Sequence, residues 1–163
     1  MEPYQIMELN QKVPDFTLQT DEDKTTSLSA YTGKPVILFF YPRADTPGCT
    51  IEACGFRETF KKLQEAGAVV LGISRDTPKA QAKFRAKYDL PYTLLADVDE
   101  KVSNLFGVLK EKNMYGKKVW GIERTTFVIG PDQTLLHVFP KVTPEGHGEE
   151  VLALIKEWNK THK

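Results

Sequence analysis

Little in this chain is available for metal or cofactor chemistry. Its 163 residues contain two cysteines, Cys49 and Cys54, three histidines and three methionines. A structural zinc site wants four ligands, and His137, His147 and His162 show no ligand spacing with the cysteines. No P-loop or glycine-rich dinucleotide motif is present, so no metal and no cofactor are expected. An excess of one charge is lacking too: 22 Lys plus Arg balance 22 Asp plus Glu. With no long like-charge run, no nucleic-acid face is expected. The longest apolar stretch, Pro35 to Tyr41, is far short of the roughly 20 residues of a membrane span. Met1-Glu2-Pro3-Tyr4 lacks the basic start and apolar core of a signal peptide, so a cytoplasmic protein with no membrane partner is expected. In a reducing compartment, two close cysteines point to redox activity or free thiols rather than to a permanent disulfide.

What is present reads as one domain over residues 1–163, without repeats or linkers. The first ten residues look like a loose arm. Asp15 to Thr20 alternates, turns at Asp21-Glu22-Asp23 and resumes at Thr25-Thr26-Ser27, which predicts a β-hairpin. Ser29 to Gly33 is a helical turn or loop, and Lys34 to Tyr41 a buried strand with Pro35 tolerated at its start. Gly48 to Ala66 carries Ile51, Phe56, Phe60 and Leu63 near helical spacing and stops at Gly67. A strand over Ala68 to Ser74 follows, then a helix opening at Asp76-Thr77-Pro78 with Phe84 and Tyr88 on its apolar face. Tyr92 to Leu95 is a short strand, Glu100 to Phe106 a helix, and Lys110 to Lys118 a loop or hairpin. Arg124 to Ile129 and Leu135 to Phe139 flank the turn Gly130-Pro131-Asp132-Gln133, and Val151 to Trp158 closes as an amphipathic helix. This order describes an α/β fold, a mixed sheet with helices on both faces.

The most informative stretch is Pro42-Arg43-Ala44-Asp45-Thr46-Pro47-Gly48-Cys49. Thr46-Pro47 is a helix start, Thr at the N-cap and Pro at N1. Cys49 then falls near N3, where N–H groups lack intrahelical partners and the dipole end is positive. Such a position stabilises a thiolate; position alone leaves open a buried, inert cysteine. Cys54 lies five residues on, about 140° round a straight helix, with a Cα separation of roughly 8–9 Å. A disulfide needs about 4.4–6.8 Å, so the pair cannot bridge while the helix is intact. Either the two never react, with Cys54 a small packing residue, or the oxidised form unwinds the first stretch of helix. Gly48 and Gly55 bracket that stretch and lower its helix propensity.

A cation belongs beside an ionised thiol. Arg124 heads a predicted interior strand, where a charge is unexpected, although a strand-end residue can also point to solvent. Glu52 lies one turn after Cys49 and could hold such an arginine, or could simply complement the helix dipole.

Pro42-x-x-x-Thr46-x-x-Cys49 resembles the active-site motif of the peroxiredoxins. Thr46-Pro47-Gly48-Cys49-Thr50, Cys54 and Gly55-Phe56-Arg57 look like its bacterioferritin comigratory protein, or peroxiredoxin Q, subfamily. The similarity continues in Val13-Pro14-Asp15-Phe16, Gly72-Ile73-Ser74-Arg75-Asp76, Leu94-Leu95-Ala96-Asp97 and Arg124-Thr125-Thr126-Phe127. The resemblance implies a thioredoxin-like fold and reduction of hydrogen peroxide and organic hydroperoxides without metal or cofactor. It implies that Cys49 is peroxidatic and Cys54 resolving, joined in an intramolecular disulfide that thioredoxin or a similar dithiol reduces. Thr46 would set its hydroxyl against thiolate and peroxide, Pro42 would shield the site from water, and Arg124 would stabilise thiolate and transition state. A monomer would then run the whole cycle. The rival readings are a disulfide reductase on the same fold, whose usual two-residue cysteine spacing is absent, and a non-enzymatic redox switch.

Overall fold

A computed structural model describes residues 8–161. Most of the expected N-terminal arm, residues 1–7, lies outside that range, as does His162. The hairpin forms as expected, β1 (Thr17–Thr20) antiparallel to β2 (Thr25–Ser27), and a 3-10 turn follows at Leu28–Tyr31. Strands β3 (Val36–Phe40), β4 (Val69–Ser74) and β5 (Thr93–Ala96) pair in parallel through helices α1 (Pro47–Glu65) and α2 (Pro78–Tyr88). After α3 (Lys101–Leu105) comes a hairpin of its own, β6 (Leu109–Met114) with β7 (Lys117–Ile122). Strands β8 (Thr125–Ile129) and β9 (Leu135–Phe139) return antiparallel, and α4 (His147–Thr161) ends the chain. The main sheet has seven strands in the order β2-β1-β5-β4-β3-β8-β9. Among the described residues no helix is long and apolar enough to cross a membrane.

Side-chain alternation along β3 divides the core in two. Ile37 and Phe39, with Tyr41 beyond the strand end, face α1, Phe84 of α2 and Val151 and Ile155 of α4. Val36, Leu38 and Phe40 face the 3-10 turn, the N-terminal hairpin and Val102 of α3. Every residue of β3 is buried, as a central strand covered on both faces must be.

Two expectations need correction. Ile51 does not join the apolar face of α1 and is 42% exposed. It lies five positions before Phe56, about 140° off the stripe. The inward track runs instead through Cys49, Glu52, Ala53, Phe56, Thr59 and Leu63, so a carboxylate occupies a core position. Helix α4 also starts four residues earlier than Val151. Gly148 is the second residue of that helix, and α1 passes directly against it. A Cβ at Gly148 would sit 2.6 Å from the Gly55 carbonyl oxygen.

Candidate active site

Register brings the site together. In the β3–β8 ladder Phe40 faces Thr125, so the end of one strand meets the start of the other. The segment leading from β3 into α1 therefore lies beside Arg124, the residue before β8. The Arg124 Nη1 donates to Cys49 Sγ at 3.4 Å, across 75 residues of chain. The same nitrogen donates to Glu52 Oε1 at 2.8 Å. Gly48 is what permits this approach: a Cβ there would lie 2.9 Å from Arg124 Nη2. Val142 holds the Arg124 backbone by donating its N–H to the Arg124 carbonyl, 2.9 Å.

Both cysteines are free thiols on one unbroken helix. Cys49 is 1% exposed and Cys54 half-buried. Thr46 stands at the N-cap, but its hydroxyl donates to the Arg43 carbonyl, 2.8 Å, and accepts from no helix N–H. That leaves an acceptor lone pair on the hydroxyl oxygen. The segment before α1 is pinned twice. Asp76 Oδ2 accepts from the Ala44 N–H at 2.8 Å, and Asp45 accepts from Lys87 Nζ at 2.9 Å and Tyr88 Oη at 2.8 Å. Asp45 carries this with φ at +62°, and its bond to Lys87, then that to Tyr88, lowers its pKa. Pro42 is half-buried at the head of this segment.

Glu52 is the electrostatic oddity. It is fully buried, and among the described residues its Oε2 is the buried side-chain oxygen without a hydrogen-bond partner. Burial pushes its carboxyl up to about 7, more than Arg124 pulls it down. Burial tends to lower the Arg124 pKa, but the bonds to Glu52 and Cys49 raise it overall, so the guanidinium keeps its charge. His147, at the start of α4, has its pKa lowered by burial, against the opposing pull of Glu150.

Of the residues singled out in the sequence, the structure joins Cys49, Arg124 and Glu52 directly. It places Pro42 and Thr46 in the segment leading into their helix and Cys54 a turn and a half further along. Sequence reasoning missed Gly48 as the space for the guanidinium and Tyr92, whose hydroxyl reaches Ala53 in α1 at 2.6 Å. The burial of Glu52 did have a signal: it lies four residues before Phe56, on the apolar track itself.

Residues 9–138 match the AhpC/TSA family. The putative peroxiredoxin bcp of Coxiella burnetii is 53% identical over 146 residues, covering 90% of this chain and 97% of that one. The peroxiredoxin Bcp of Bacillus subtilis is 41% identical over 151 residues, covering 93% and 96%. Among solved structures, the Xanthomonas campestris bacterioferritin comigratory protein, described for its alkyl peroxide reduction activity, superposes with a TM-score of 0.85 at 39% identity, covering 88% of this chain and 92% of that one. A cysteine-to-serine variant of Xylella fastidiosa PrxQ gives 0.89 at 34% identity, covering 94% and 98%.

Proposed function

The chain belongs to the AhpC/TSA family, among its Bcp/PrxQ peroxiredoxins, and is a thiol-dependent peroxidase with their thioredoxin-like fold; from that premise we propose that Cys49 attacks the peroxide and Cys54 resolves the product. The observation that carries the reading is the shared Arg124 Nη1, which binds Cys49 Sγ and Glu52 Oε1 at once. A guanidinium fixed at both contacts needs no reorganisation when charge moves from sulfur to oxygen.

The Cys49 thiolate attacks one oxygen of the hydroperoxide in line. The O–O bond breaks, sulfur is oxidised to sulfenic acid, and the departing alkoxide or hydroxide takes a proton and leaves as alcohol or water. Arg124 stabilises the thiolate before attack and the leaving oxygen during it. The Thr46 hydroxyl, already donating to the Arg43 carbonyl, accepts a hydrogen bond from the O–H of the bound hydroperoxide and orients it. Pro42 covers the entrance and limits water. Hydrogen peroxide and organic hydroperoxides both fit this chemistry, which asks only for a labile O–O bond.

Resolution needs α1 to open, because five residues of intact helix hold the sulfurs too far apart. Cys54 then condenses with the sulfenic acid, forming the disulfide and releasing water. Thioredoxin or a similar dithiol restores both thiols by exchange and is itself oxidised. Both sulfurs belong to one chain, so a monomer suffices, and a dithiol-driven cycle suits the reducing cytoplasm.

Substituting each cysteine with serine tests the assignment. Cys49→Ser should consume no peroxide, whereas Cys54→Ser should reduce one equivalent and then stall in a thioredoxin-coupled assay. Retained turnover in the first variant removes Cys49 from its role, and normal recycling in the second removes Cys54.

A further inference from the structure

Helix α1 is gripped near its second cysteine by a residue outside the site. Tyr92, immediately before β5, is 3% exposed, and its hydroxyl donates to the Ala53 carbonyl at 2.6 Å. Ala53 is the residue before Cys54, and its carbonyl also lies where the helix ladder accepts the Arg57 N–H. The tyrosine ring is wedged between edge-on Phe39, 5.7 Å away, and Phe60, 6.2 Å away. Phe39 in turn stacks on Phe56 at 4.6 Å. The ring is thus fixed by the sheet and by the later part of α1, so its hydroxyl cannot follow the first turns if they move. Burial also pushes the phenol well above its ordinary pKa, leaving a neutral donor at working pH.

For Cys54 to reach Cys49, the peptides between them must leave helical geometry. The Ala53 carbonyl goes with them, which breaks the bond and strands a buried hydroxyl without a partner. We propose that Tyr92 is a positioning residue for the resolution step: by holding the carbonyl that precedes Cys54, it sets how fast Cys54 captures the oxidised Cys49. The inference rests on Cys54 being the resolving residue. Its consequence is a partition. While α1 stays wound, the Cys49 sulfenic acid remains open to a second hydroperoxide, which would transfer a further oxygen to give sulfinic acid and release one alcohol or water. Tyr92 prolongs that interval.

Tyr92→Phe keeps the ring and its aromatic contacts and removes only the hydroxyl. Rapid-mixing kinetics should show Cys49 oxidation by hydrogen peroxide unchanged and the following disulfide step accelerated roughly two- to tenfold, the range of one net hydrogen bond. The sulfinic fraction at high peroxide, read by mass spectrometry, should fall by a similar factor. Amide exchange should speed up over residues 49–57 while the sheet and α4 stay as protected as before. An unchanged disulfide rate overturns the proposal, as does faster exchange spread over the whole chain, which would mark Tyr92 as general packing. If neither protein forms a Cys49–Cys54 disulfide at all, the assignment of Cys54 fails and the role of Tyr92 falls with it.

Discussion

The two halves of α1 are held in place by different physics. From Pro47 to Cys54 the buried side chains are Cys49, Glu52 and Ala53, small or polar groups. The contacts that fasten this half are heteroatom contacts: Arg124 to Cys49, Arg124 to Glu52, and Tyr92 to the Ala53 carbonyl. From Gly55 to Glu65 the buried side chains include Phe56 and Leu63, with Phe60 packed beside them and Gly55 pressed against Gly148. Burying a Phe or Leu stabilises by about 1.5–3 kcal/mol, and nothing in solvent replaces that contact. A net hydrogen bond contributes only about 1 kcal/mol, because folding exchanges it against bonds to water. One continuous helix therefore has a releasable first half and an anchored second half. On the proposed roles, the Cys49 sulfur can be held rigidly for attack on peroxide and surrendered afterwards, with no hinge loop required.

The contrast can be broken most severely at Phe56. Phe56→Ala should destabilise the protein by about 3–5 kcal/mol, read as a lower denaturation midpoint. A cost below about 1 kcal/mol would show that the second half is no anchor. Arg124→Ala acts on the other half. Losing the fixed cation should slow Cys49 oxidation about 10²- to 10³-fold, measured by rapid mixing with hydrogen peroxide, and should lower the iodoacetamide alkylation rate at neutral pH. An unchanged rate would make Arg124 a bystander.

Glu52→Gln sharpens the comparison through pH. The Glu52 carboxyl ordinarily titrates near 4.5 and is raised to about 7 in the folded protein. Between those values the native state holds a proton that the unfolded state has lost, so stability from this group falls as pH rises through the interval. Below the lower value the penalty is absent, and above the upper one it is fully present, at about 3 kcal/mol. The glutamine variant should lack this decline, and denaturation at pH 5 and pH 7.5 should show it. A decline of equal size in both proteins would place its origin elsewhere.

The sequence was legible where the physics is local. Alternation in Asp15 to Thr20, the apolar run into Tyr41 and the Thr77-Pro78 helix start each rest on neighbours a few residues apart, and each element formed where expected. The helix start at Thr46-Pro47 likewise set Cys49 in the first turn of α1. Where packing competes with local preference, the reading slipped. Ile51 looked like core but points outward, because its angular position outweighs its apolarity. Helix α4 was expected from Val151 but begins at His147, with Gly148 packed directly against Gly55 of α1. The segment from Lys110 to Lys118, readable as loop or hairpin, extends into the full β6–β7 pair, whose Trp120 is 58% exposed.

Sequence by itself determined the elements, the placement of both sulfurs on one helix and the geometric bar to joining them while that helix is wound. Those outcomes depend on backbone spacing and on side chains within a few residues of one another. Only the tertiary structure decided that one Arg124 nitrogen meets Cys49 and Glu52 together and that Tyr92 fastens the carbonyl before Cys54. The partners in those contacts lie tens of residues apart, and the register of β3 against β8 and the packing of α1 over the sheet bring them within bonding distance. No local pattern encodes that alignment.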